Sequence, residues 1–125
     1  EFSIIIVFVC VFARYNTNNQ IIRYVFHVQR ILLKWWGQYV ESTKNLELAL
    51  KYYEEANDYW STVRILCYLE NPEQAAAVAN ASNDPAACYH LARHYETIGQ
   101  IEDAVNFFIK SNVYTNAIRI CKVDD

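Results

Sequence analysis

Cys88, His90 and His94, in the order Cys-x-His-x-x-x-His, are the sequence's cluster of metal-ligand residue types. Two histidines four apart share a helix face, as paired zinc ligands do, but two ligands do not complete a tetrahedral site. Cys88 stands four residues before Ala92 on the same helix face, which places its thiol toward a core and leaves His90 and His94 at the edge. Glu54-Glu55 and Asp124-Asp125 are paired carboxylates. Acid and base chemistry needs such a pair in a pocket with opposed environments, and these read as solvated surface. The Trp35-Trp36, Tyr52-Tyr53 and Phe107-Phe108 pairs resemble a ligand platform, yet neighbours on a helix point about 100° apart, so each pair serves two packing partners. No GxSxG, P-loop, GxGxxG or HExxH string occurs. The chain therefore reads as no enzyme, with no catalytic residue, cofactor or metal site expected.

The elements that would position these side chains follow from composition. The chain has 125 residues, 54% hydrophobic and 20% charged, with two Gly and two Pro. Strand-rich folds turn every eight to twelve residues and need more of both, so a helical fold is expected. Eleven Lys and Arg against fourteen Asp and Glu give a net charge of −3, without a basic stripe, so no nucleic-acid partner is expected. Cys10, Cys67, Cys88 and Cys121 lie far apart without a CxxC, which predicts reduced, mostly buried thiols.

Residues 1–30 read as a different kind of sequence. The apolar run Phe2 to Phe12 is half the ~20 residues that a helix needs to span a bilayer, and its flanks lack the marks of a secretory signal, so no direct membrane insertion is expected. The part that follows shows no 3.6-residue stripe and suits strand or irregular structure as well as helix. Three arginines against one glutamate make this stretch +2, whereas the remainder is −5. The expectation is a divergent leader over 1–30 that is no native element of the fold, repeats over 31–122 amounting to three helix pairs and the first helix of a fourth, and a tail at 123–125.

From Leu32 onward the chain repeats. In LELALKYYEEAN, PEQAAAVANASN and IEDAVNFFIKSN the second place is Glu47, Glu73 and Glu102, the fourth Ala49, Ala75 and Ala104, and the twelfth Asn57, Asn83 and Asn112. The step from Ala49 to Ala75 is 26 residues and from Ala75 to Ala104 is 29. Amphipathic segments before them align at Ile65, Leu91 and Ile120. Asp58, Asn71-Pro72 and Asp84-Pro85 supply helix starts and Gly99 a helix end. The fold expected is all-α, helix-turn-helix repeats in a short α-solenoid.

Leu91, Ala92, Tyr95, Gly99, Ile101, Ala104, Phe108 and Ser111 fall in the order of the tetratricopeptide signature, which the unit 85–118 resembles. The first unit follows with Trp35, Trp36, Tyr39, Ala49, Tyr53 and Ala56, given one extra residue in the turn; the middle unit reads as contracted in its turn, Glu70-Asn71-Pro72. Packing positions are thus Trp36, Tyr39, Ala49, Tyr53, Ala75, Leu91, Ala92, Tyr95, Ala104 and Phe108. The concave row holds Val63, Tyr89 and Ile118, then Cys67, Arg93 and Lys122. Arg93 and Lys122 are the contacts available there to a peptide, but the row before them lacks the basic residues of a C-terminal carboxylate clamp.

The strings LLKWWGQYVES, VRILCYLENPEQAA, YHLARHYE and NAIRICK are similar to the tetratricopeptide-like region of intraflagellar transport protein 140 homologues, subunits of intraflagellar transport complex A. The resemblance covers Arg30 or Leu32 to Lys122. It implies a non-catalytic scaffold segment acting in retrograde ciliary transport and cilium assembly, at the axoneme and basal body of the cilium and in the cytoplasm. Its partners would be other complex A subunits, with no small-molecule substrate. The rival reading is a generic cytosolic tetratricopeptide module that binds peptides.

Overall fold

The computed structural model describes residues 2–15 and 19–123, and among them the only regular element is the α-helix. The fold is all-α and of the tetratricopeptide-like solenoid class. Two compact units divide the chain, Glu1–Asn57 and Asp58–Asp125. The first holds α1 (Phe2–Tyr15), α2 (Asn19–Ser42) and α3 (Leu46–Glu55); the second holds α4 (Tyr59–Tyr68), α5 (Pro72–Ser82), α6 (Pro85–Thr97), α7 (Ile101–Lys110) and α8 (Tyr114–Val123).

In the first unit, α2 packs on α1 and on α3. α2 begins at Asn19, so the boundary expected at residue 30 falls inside a helix. The stripe that forms it runs Ile22, Val25, Gln29, Leu33, Gly37 and Val40, each half-buried or buried at intervals of three or four. Gln29 and Gly37 interrupt its apolar character, and that is why the sequence shows no stripe there. Of the tail expected at 123–125, Val123 closes α8, and 124–125 lie outside the described residues.

In the second unit, α4 packs on α5 and α6, α5 on α6, α6 on α7, and α7 on α8. Each is a short helix that cannot bury its apolar face alone and is held by its neighbours in sequence. The core comprises Val63, Ile65 and Leu66 of α4, Ala75 and Ala79 of α5, Leu91 and Ala92 of α6, and Ala104 and Phe108 of α7, every one no more than 2% exposed. Full burial of a side chain such as Leu91 or Phe108 contributes ~1.5–3 kcal/mol.

The turns share one construction. Lys44, Asn57, Glu70, Asn83, Gly99 and Asn112 each have a left-handed backbone, with φ between 53° and 83°, one in each turn from α2 to α8. The recurring asparagines are therefore helix-ending residues, the type that best tolerates this conformation after glycine. After α2, α4, α6 and α7 two bonds close the end: the amide of the left-handed residue donates to the carbonyl three back, as Glu70 to Cys67 at 3.1 Å, and the next amide to the carbonyl five back, as Asn71 to Leu66 at 2.9 Å. α3, α4, α5 and α6 start on a side-chain cap, whereas Gln100 ahead of α7 makes none. The side chains of Asn45, Asp58, Asn71 and Asp84 accept from the amides of Leu48, Ser61, Gln74 and Ala86.

This construction corrects two register readings. Thr43-Lys44-Asn45 after α2 and Leu69-Glu70-Asn71 after α4 match Ile98-Gly99-Gln100 after α6 residue for residue, so the first turn has no extra residue and the second is not cut. The contraction of the middle repeat lies in its first helix, which has 10 residues in α4 against 13 in α6.

Candidate functional site

Counting back from the left-handed residues Lys44 and Gly99, Gly37 of α2 takes the place of Ala92 of α6, and Trp36 that of Leu91. Gly37 is buried, and a Cβ there would lie 3.0 Å from Cε1 of Tyr53. The Tyr53 ring thus lies on the bare backbone of α2, its hydroxyl donating to Glu41 Oε2 at 2.7 Å. Ala49 and Tyr53, at 0% and 1% exposure, close the α2–α3 contact with Leu33 and Val40.

Trp36 and Tyr39, expected at packing positions, are corrected by this register: they are 40% and 53% exposed. With Trp35 they form an open aromatic cluster on α2, the ring of Trp35 stacked on Tyr39 at 6.4 Å and that of Trp36 tilted against it at 5.5 Å. The double Trp reads as a core signature because it is the bulkiest feature of the segment; the small residue that a helix crossing needs stands one place later.

The other expected packing residues, Ala75, Leu91, Ala92, Tyr95, Ala104 and Phe108, are buried in the second unit. Tyr95 stacks on Phe107 at 5.7 Å and donates its hydroxyl to the carbonyl of Pro72 at 3.3 Å, tying α6 to α7 and α5. Burial, followed by the charges of Asp103, Cys67 and Glu73, raises its pKa. Phe108 takes the edge of Tyr89 at 5.8 Å.

The metal-type cluster is taken up by packing. Cys88 is 2% exposed with Sγ 3.8 Å from the carbonyl of Ala79, and burial raises its pKa above the usual thiol value. Burial also pushes the Cys67 thiol up to about 11, so neither is a ready nucleophile. His90 meets Trp60 edge-on at 6.0 Å while the Arg64 guanidinium lies 5.4 Å over the same indole. Burial first, then the positive charges of Arg64, His94 and Arg93, lowers the His90 pKa. Among the described residues no three His, Cys, Asp or Glu side chains gather to hold a metal ion, and no helix is long and apolar enough to cross a membrane.

Of the concave row, Val63 and Cys67 are buried and offer no contact; Tyr89 is half-buried and Ile118 open. Arg93 and Lys122 are exposed, and Arg93 Nη1 donates to the Tyr89 hydroxyl at 3.3 Å. Sequence reasoning missed the Trp60–Arg64–His90 stack, although Trp60 and Arg64 at i and i+4 were visible as a cation–π pair. Among the described residues the Cys67 and Cys88 thiols and the Tyr95, Phe107 and Phe108 rings of the second unit are taken up in packing, while Arg93 and Lys122 stand open to solvent.

The comparisons with known proteins agree. WD repeat-containing protein dyf-2 of Caenorhabditis elegans is 26% identical over 88 residues, 70% of this chain, and the chain spans 6% of that protein's length. The family model of the TPR domain of intraflagellar transport proteins 140 and 172 matches residues 13–125, beginning within the stretch that the sequence sets apart as a leader. Matched over most of its length and built of the paired helices that such a domain requires, the chain belongs to the family of intraflagellar transport 140 and 172 TPR domains.

Proposed function

We propose that this chain is a non-catalytic scaffold segment of intraflagellar transport complex A, contributing contacts to other subunits in retrograde ciliary transport and cilium assembly. The observation that carries the reading is the family match over 13–125, on a fold typically without catalysis. Its polar and aromatic side chains support it: Cys88, His90 and Tyr95 are engaged with Ala79, Trp60 and Phe107. The curated relative is named a WD repeat-containing protein, in keeping with a helical segment of a larger subunit. Cilium and cytoplasm are the locations proposed, the partners proteins rather than nucleic acid, small molecules or lipid.

The tagged chain, expressed in ciliated cells and recovered under mild conditions, should bring down complex A subunits. Recovery of none, from a chain whose circular dichroism shows it helical, would sink the reading. The peptide-module alternative rests on Arg93 and Lys122 and predicts that micromolar peptide binding is lost in Arg93→Ala; the burial of Val63 and Cys67 in the same row weighs against it.

A further inference from the structure

The row of first-helix contacts expected from the sequence enters α4 at Val63 and Cys67, and both are buried. The left-handed residues give α4 a different register. Arg64 stands six residues before Glu70 as Arg93 does before Gly99, and Trp60 stands ten before as Tyr89 does. Counted from Asn83 and Asn112, in the turns ahead of α6 and α8, Arg93 and Lys122 share one place and Tyr89 and Ile118 another. The row therefore runs Arg64, Arg93 and Lys122 in steps of 29 residues, with Trp60, Tyr89 and Ile118 one turn before them, and none of the six is buried. This ladder is hidden in the sequence because α4 is three residues shorter than α6, so that counting from helix starts puts Cys67 where Arg64 stands.

Two of the three cations are held by the ring one turn before them. The Arg64 guanidinium lies 5.4 Å over Trp60 and Arg93 donates to the Tyr89 hydroxyl at 3.3 Å, so little side-chain freedom is lost when either meets a partner. After burial, the charges of Arg64, His94 and Arg93 lower the His90 pKa, which brings the two arginines to one neighbourhood from α4 and α6. Glu96 is the one carboxylate carried by α4, α6 and α8, and Arg119 takes it at 2.8 Å. α5 and α7 are the reverse, with Glu73, Glu102 and Asp103 against Lys110. The fold thus sorts charge that the sequence scatters. We propose that the Arg64–Arg93–Lys122 ladder docks an extended acidic segment of a partner protein, which rests on the scaffold reading and names the chemistry of one of its contacts. Packed helices lie ~8–10 Å apart, a distance that an extended chain covers in about three residues, so the segment carries a carboxylate at every third place. Arginine takes such carboxylates in bidentate pairs. A nucleic acid fits less well, since the whole chain is at −3 and one row of cations is no broad basic surface.

Nuclear magnetic resonance of the full chain tests it, by titration at low salt with a capped nonapeptide that has glutamate at every third place and serine elsewhere. Saturating shifts are expected at the Trp60 indole N–H and at the side-chain N–H groups of Arg64 and Arg93, and none from the same peptide with lysine in place of glutamate. Arg93→Gln and Lys122→Gln, both at exposed positions, should each weaken binding about two- to fivefold, the range of an exposed ion pair, and together by more than either alone. Lys110→Gln, on α7 and outside the ladder, should leave it unchanged. A glutamate peptide that shifts none of these resonances overturns the proposal, as does an Arg93→Gln chain that binds as tightly as the parent. So does an equal loss in Lys110→Gln, which would make the attraction one of net charge. Phosphatidylserine vesicles that shift these resonances where the peptide does not would assign the row to a lipid surface instead. Peptide binding does not depend on which subunits are captured from cells, so the scaffold reading and this one fail separately.

Discussion

α2 and α6 begin their repeats from the same place in the pattern and meet opposite surroundings. Counted from Lys44 and Gly99, the two helices hold Trp35 against His90, Trp36 against Leu91, Gly37 against Ala92 and Val40 against Tyr95. Where the next helix lies close, as at Gly37 and Ala92, both have a small buried residue. One place earlier they part: Leu91 is sealed at 0% exposure and Trp36 is open at 40%. The crossing within a pair is thus fixed by the small residue, while the character of the neighbouring position reports what stands on the other side of the helix.

The largest effect should come from testing that one aligned position in both helices. Leu91→Ala should lower stability by ~2–5 kcal/mol, as expected for a fully buried leucine, whereas Trp36→Ala should change it by no more than about 0.5 kcal/mol. Thermal or urea denaturation of the two variants reads the difference, and equal losses would erase the distinction between the helices. Next, Gly37→Leu should cost ~1–3 kcal/mol, because the Tyr53 ring occupies the space the side chain needs; an unchanged midpoint would show that the small residue is dispensable in α2. A smaller pair concerns the left-handed turns. Gly99→Ala should destabilise by ~1 kcal/mol, since its φ is 83° and nothing else lies near the added Cβ, while Lys44→Gly should stabilise by a similar ~1 kcal/mol, both read from denaturation midpoints.

The smallest effect is pH-dependent. The His90 pKa is lowered in the fold, so the unfolded chain binds the proton more readily; stability is full above about 6.5, the ordinary histidine value, and is lost as pH falls below it toward the folded value. His90→Gln should remove that part of the slope in denaturation midpoints measured from neutral to mildly acidic pH, a slope the tryptophan in the same place of α2 does not contribute.

The helical class and the pairing of helices were legible because α4, α5 and α6 announce their starts chemically: Asp58, Asn71-Pro72 and Asp84-Pro85 all cap as their residue types demand. Ala49, Ala75 and Ala104 were legible for a similar reason, since an alanine recurring at the fourth place of each aligned segment marks a close approach, and all three are fully buried. The registers of α2 and α4 were not. Lys44 and Glu70 adopt a conformation that neither residue type advertises, so the turns they make were invisible and their lengths misjudged. The stripe of α2 passes through Gln29 and Gly37, which carry no apolar signal. The open face of Trp35, Trp36 and Tyr39 reads as core because sequence shows how apolar a residue is and not what stands opposite it.

The turns have one more implication, for how such a repeat changes size. From the start of α3, α5 or α7 to the start of the helix after it is always 13 residues, Leu46 to Tyr59, Pro72 to Pro85 and Ile101 to Tyr114. Variation is confined to the first helices, where α4 and α6 differ by three, 10 against 13. Three residues are close to a full revolution of 3.6, so the inward stripe returns nearly to its bearing, whereas one residue more or less would swing it by about 100°. Length here comes in increments of a revolution, and insertions or deletions in this family's first helices should be tolerated in threes and fours and rejected singly.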